Sequence, residues 1–74
     1  MQFDFSRLRG RIVEKYGTGA AFAEDLGKSP VWLSSRLNCL VHWDSEEIYE
    51  AIKPERLDIR PEDIPTYFFV PKFR

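Results

Sequence analysis

A helix stop and a helix start stand side by side at Leu26-Gly27-Lys28-Ser29-Pro30. Gly27 suits the left-handed residue that follows a helix, because it has no Cβ to clash. Ser29 can cap the next helix, and Pro30 at its first position loses no N–H that the helix needs. The sequence therefore predicts two helices joined by the turn Gly27-Lys28-Ser29 and crossing at an angle. Ala23 falls where they approach most closely, so a small side chain is required there. Leu26, Leu33 and Leu37 point inward and fix the second helix, leaving Pro30, Val31, Ser34, Ser35 and Asn38 on its outer side.

The flanking sequence supplies further helices. Ser6 is placed to cap a first helix running to about Tyr16, with Leu8, Ile12, Val13 and Tyr16 inward and Arg7, Arg11 and Lys15 forming a cationic stripe. Gly17 stops it, and Thr18 caps a short helix over 19–26 that turns Phe22, Ala23 and Leu26 to one side. Beyond the loop Asn38-Cys39-Leu40-Val41-His42-Trp43, Asp44 and Glu47 have the spacing of a capping box, and Ile48, Ala51 and Ile52 give the helix they start an inward face. Pro54 ends that helix or opens one short turn through Arg56-Leu57. The stretch Arg60 to Pro65 allows at most one more turn. The tail Thr66-Tyr67-Phe68-Phe69-Val70 is β-prone and too apolar to float free, so it either packs back near Phe3 and Phe5 or pairs with a second chain.

Seventy-four residues with one Cys and one His cannot build a disulfide framework or a multi-thiolate zinc site, so packing alone must hold the fold. The expectation is a single domain over residues 1–74, without cofactor or metal. Cys39 and His42, separated by Leu40-Val41, form no nucleophile–base pattern, which argues against an enzyme. No run approaches a membrane span or a signal peptide, so a cytoplasmic protein with no membrane contact is expected.

The formal charge of -1 conceals an asymmetry. Residues 1–36 carry six basic and four acidic side chains, whereas the rest carries five basic and eight acidic. A dipolar chain of this kind can present a basic face to a polyanion or an acidic face to a basic protein.

The segment from Thr18 to Asn38, TGAAFAEDLGKSPVWLSSRLN, resembles the Cro and lambda-repressor-like helix-turn-helix superfamily. The opening FDFSRLRGRIVEKYGT, the middle LSSRLN and the ending YFF-V-PK are similar to small phage and prophage regulators of the Cro-like lysogeny switch. The resemblance implies a compact all-α bundle of about five short helices containing a helix-turn-helix, with an aromatic C-terminal tail. It implies a transcriptional regulator that binds double-stranded operator DNA, usually as a homodimer. It also implies an alternative, because some proteins similar to this group act on a partner repressor protein.

Carried onto matching positions, the resemblance gives the third helix the recognition role. Pro30, Val31, Ser34 and Ser35 would lie nearest the bases, while Thr18 and Asn38 would approach phosphates from opposite ends. Ser29 opens this helix, and Lys28 and Arg36 would add cationic contacts. Three positions depart from the pattern: Gly19 stands where Gln is frequent, Lys28 replaces an apolar turn residue, and Cys39-Leu40 replaces Gly-Lys. Bidentate base contacts worth ~1–3 kcal/mol come from Arg, Lys, Asn or Gln, so a helix offering Ser34, Ser35 and Val31 should discriminate modestly. Val31 and Trp32 would suit a protein partner equally well.

Overall fold

The structure is a computed structural model and describes residues 2–72. It contains α1 (Ser6–Tyr16), α2 (Gly19–Asp25), α3 (Pro30–Leu37), α4 (Ser45–Ala51) and α5 (Ile64–Phe68), the last entered through a 3-10 turn at Pro61–Asp63. Among the described residues there is no strand, so the fold is the expected all-helical bundle.

Three helix starts form as their sequences dictate. The Thr18 hydroxyl accepts from the Ala21 N–H at 3.2 Å, and the Ser29 hydroxyl from the Trp32 N–H at 3.1 Å. At α4 both halves of the capping box are made, Glu47 N–H to Asp44 Oδ1 at 2.8 Å and Asp44 N–H to Glu47 Oε1 at 3.1 Å. Each cap satisfies N–H groups that the helix itself cannot reach. Gly27 sits at φ 75° and reverses the chain between α2 and α3.

The start of α1 differs from expectation. Ser6 is its first helical residue rather than its cap, and the Asp4 carboxylate accepts from the Ser6 N–H at 2.8 Å and from its hydroxyl. Those bonds hold the Asp4 carboxyl below its ordinary range. The shift by one residue lets Phe5 enter the core on the same line as Leu8 and Ile12. Val13, expected inward, is 59% exposed. It stands roughly 100° around the helix from Ile12, outside the strip that α2 and α5 cover.

Phe22, Phe68, Leu8 and Leu57 are the largest fully buried side chains, and Ala23 is fully buried with them. Helix α1 packs on α2 and α5, and α2 packs on α3. Ile48, Ala51 and Ile52 bring α4 into the same core. Over residues 52–60 the chain turns without a helix, and Asp58 takes a left-handed φ of 53°. Arg11 secures this turn by donating Nε–H to the Leu57 carbonyl and Nη2–H to the Asp58 carbonyl, both at 2.8 Å.

The first part of the β-prone tail, Thr66 to Phe68, is helical. Ile64 and Phe68, four residues apart, are both buried, so burial at helical spacing overrides the β preference of the aromatics. Pairing begins just beyond the helix, where the Asp4 N–H donates to the Val70 carbonyl at 2.7 Å and Phe3 bridges Pro71. Phe69 meets Phe3 edge-on at 5.6 Å. Of the two alternatives for the tail, this is the one that packs back on the N-terminal segment.

Tyr16 joins α1 to α2, its hydroxyl donating to Asp25 Oδ2 at 2.6 Å and its ring 5.2 Å from that of Phe22. Burial, and then the bond to Asp25, push its phenol up to about 12 from 10.0. The fold thus favours the neutral phenol. That stabilisation is fully present below pH 10 and lost as pH rises towards 12. Tyr16→Phe should remove this part of the alkaline destabilisation, and the difference between parent and variant tyrosinate absorbance should titrate near 12. A difference titrating near 10 would show that Tyr16 is not held in this way.

Candidate functional site

The outer side of α3 and the loop that leaves it form the most exposed apolar surface near the residues singled out from the sequence. Val31 is 77% exposed and Leu40 is 78% exposed, with Val41 at 44% beside them. Backbone bonds tie Leu40 and Val41 to α3. Leu40 and Val41 both donate their N–H groups to the Ser35 carbonyl, at 2.9 and 3.2 Å, and Ser35 lies one helical turn beyond Val31. The loop is therefore anchored to the C-terminal half of α3.

Cys39 turns the chain at the end of α3. It occupies the left-handed region at φ 63°, a conformation costing a side-chain-bearing residue roughly 1–2 kcal/mol. Its thiol donates to the Phe3 carbonyl at 3.4 Å. The cysteine thus adopts a backbone conformation that favours glycine and ties the loop to the N-terminal segment.

Aromatic packing supports the same surface from beneath. Trp32 meets Trp43 edge-on at 5.5 Å, and Trp43 meets Phe68 edge-on at 5.1 Å, linking α3, the loop and α5. Each such pair adds about 0.5–1.5 kcal/mol beyond its buried area.

The polar residues of α3 are largely occupied. Arg36 lies 4.1 Å from the Trp32 ring centroid and donates to both oxygens of Glu47, Nη2 at 3.0 Å and Nε at 3.2 Å. Its side chain is 13% exposed and that of Glu47 is 16% exposed. Ser35 donates to the Trp32 carbonyl at 2.7 Å, and Asn38 donates Nδ2–H to the Ser34 hydroxyl at 3.1 Å. Asn38 Oδ1 also accepts from Arg9 at 3.0 Å. Lys28 is exposed, with Nζ 5.5 Å from the Trp32 ring, and Pro30 is exposed beside Val31. Thr18 and Ser29 are used as helix caps.

Of the expected cationic stripe, Arg7 and Lys15 are exposed while Arg11 is committed to the turn after α4. Two features escaped the sequence reading. The bond between Arg36 and Glu47 joins residues eleven apart on different helices, where no periodicity signals it. Leu40 and Val41 were legible only as a loop, although two adjacent aliphatic side chains there were the available sign of an apolar surface.

The family model described as "Protein of unknown function (DUF739)" matches residues 1–71. The chain belongs to the DUF739 family. Among solved structures, this DUF739 chain is similar to the modulator of repression (MOR) of the temperate bacteriophage TP901-1 from Lactococcus lactis, known in solution. The two are 43% identical with a TM-score of 0.80, over 93% of this chain and 90% of that one. No curated protein matches the chain.

Proposed function

We propose that this DUF739 protein is a phage-type regulator that modulates repression by binding a repressor protein, with the outer face of α3 and the adjoining loop as its docking surface. The observation that carries this reading is the pairing of two opposite facts on α3 and the loop that follows it. Val31 and Leu40 are three-quarters exposed, while Arg36, the one cation in α3, is held by Glu47. A surface rich in exposed aliphatic groups gains by desolvation against another protein, whereas base readout requires free donors and acceptors. The 43% identity to a phage modulator of repression supports the same reading.

Operator DNA read by α3 of a homodimer is the competing reading, and it would use Thr18, Lys28, Ser29, Pro30, Val31, Ser34, Ser35, Arg36 and Asn38. Calorimetric titration of the chain with the repressor from its own locus, beside anisotropy against operator fragments over a salt series, separates the two. The expected result is a stoichiometric complex with the repressor and weak, sequence-indifferent DNA binding. Tight operator binding that weakens steeply with salt, with no repressor complex, would replace the proposal by the DNA reading.

A further inference from the structure

We infer that Glu47 is the residue that withholds α3 from nucleic acid, so that DNA affinity in this fold is latent and governed by a single carboxylate. This rests on the reading of α3 as a protein-docking helix and explains how a helix with a capped start, an outer row of small polar groups and an arginine is kept from phosphates.

Glu47 is itself held in place. As the third residue of its helix's capping box it accepts from the Asp44 N–H, and Asp44 accepts from the Glu47 N–H in return. The carboxylate then faces α3 and takes two N–H groups of Arg36. With Trp32 against the guanidinium at 4.1 Å, Arg36 has a ring on one side and a carboxylate at its edge. A phosphate would have to displace a charge-assisted pair that is mostly shielded from water, where such pairs hold more strongly than on the surface. Lys28, the nearest exposed cation in the preceding turn, lies over the same ring and cannot replace it as a bidentate donor.

Glu47→Gln tests the inference without dismantling the helix start, since a glutamine oxygen at this position can still accept from the Asp44 N–H. Binding is measured by anisotropy against a mixed-sequence duplex from 50 to 200 mM salt, with melting temperature and repressor binding read on the same samples. Glu47→Gln should bind DNA about tenfold more tightly than the parent at the lowest salt. Its log–log salt slope should steepen by about 0.9, the increment for one further phosphate contact. The double variant Glu47→Gln with Arg36→Met should return to the parent's affinity, and Glu46→Gln, which removes the same charge from an exposed neighbour without freeing Arg36, should keep the parent's affinity, which together assign the gain to the released guanidinium rather than to the lost negative charge. Repressor binding should stay within twofold. A folded Glu47→Gln with the parent's DNA affinity and slope overturns the inference, as does a gain that survives Arg36→Met. Failure of the parent to bind repressor is a separate result and overturns the docking reading instead.

Discussion

Val31→Glu and Leu40→Glu should each weaken the complex with the repressor about 100-fold while leaving the chain folded. Both side chains stand more than three-quarters in solvent, so neither contributes appreciably to the core, and surface changes of this kind shift stability by only about 0.5 kcal/mol. At the centre of a protein interface the same change removes apolar contact and strands a carboxylate in a desolvated site. Truncating a central anchor costs about 2 kcal/mol or more, and 2.7 kcal/mol corresponds to about 100-fold. Calorimetry against the repressor, with circular dichroism on the same samples, measures both quantities. Val13→Glu is the matched control, because Val13 is 59% exposed on α1 and belongs neither to α3 nor to its loop. Equal weakening by all three substitutions would mean that general negative charge matters and the face does not.

Phe68→Ala should have the largest effect on stability, a loss of about 3–5 kcal/mol. Phe68 is 1% exposed in α5, and its ring supports Trp43, which in turn supports Trp32 and the Arg36 guanidinium. A domain of this size holds roughly 4–11 kcal/mol in all at the usual stability per residue, so the truncation removes a large share. Denaturant unfolding followed by tryptophan fluorescence reads the loss, and the emission of the variant should move to the red as water reaches the indoles. The docking face should weaken with the fold. A loss below about 1 kcal/mol would show that the aromatic chain from Phe68 to Trp32 is ornamental to the fold.

These substitutions also mark where the sequence could and could not be read. Whatever depended on neighbours within one turn was legible: the caps at Thr18, Ser29 and Asp44, the left-handed Gly27, and the buried lines Leu8–Ile12, Phe22–Ala23 and Ile48–Ala51–Ile52. Features decided by distant segments were not. Val13 satisfied a helical pattern, but which part of an apolar arc is covered depends on where α2 and α5 lie. The tail from Thr66 to Val70 carries strand-prone residues, yet the demand to bury Ile64 and Phe68 on one side makes a helix of its first part. The recognition role expected for Arg36 followed from its position on α3, whereas its partner Glu47 belongs to another helix and was legible only as a capping residue.

The Arg36–Glu47 pair gives the fold a division of labour. Arg36 is turned against α4, and on the proposed reading the aliphatic residues left outside form the surface that meets the repressor. Nuclear magnetic resonance on the 15N-labelled chain, titrated with unlabelled repressor, tests that claim most directly. The largest amide shifts should fall on Val31, Ser34, Ser35, Leu40 and Val41, with Val13 and Lys15 unmoved. Shifts on these same α3 residues produced by operator DNA and not by repressor would contradict it.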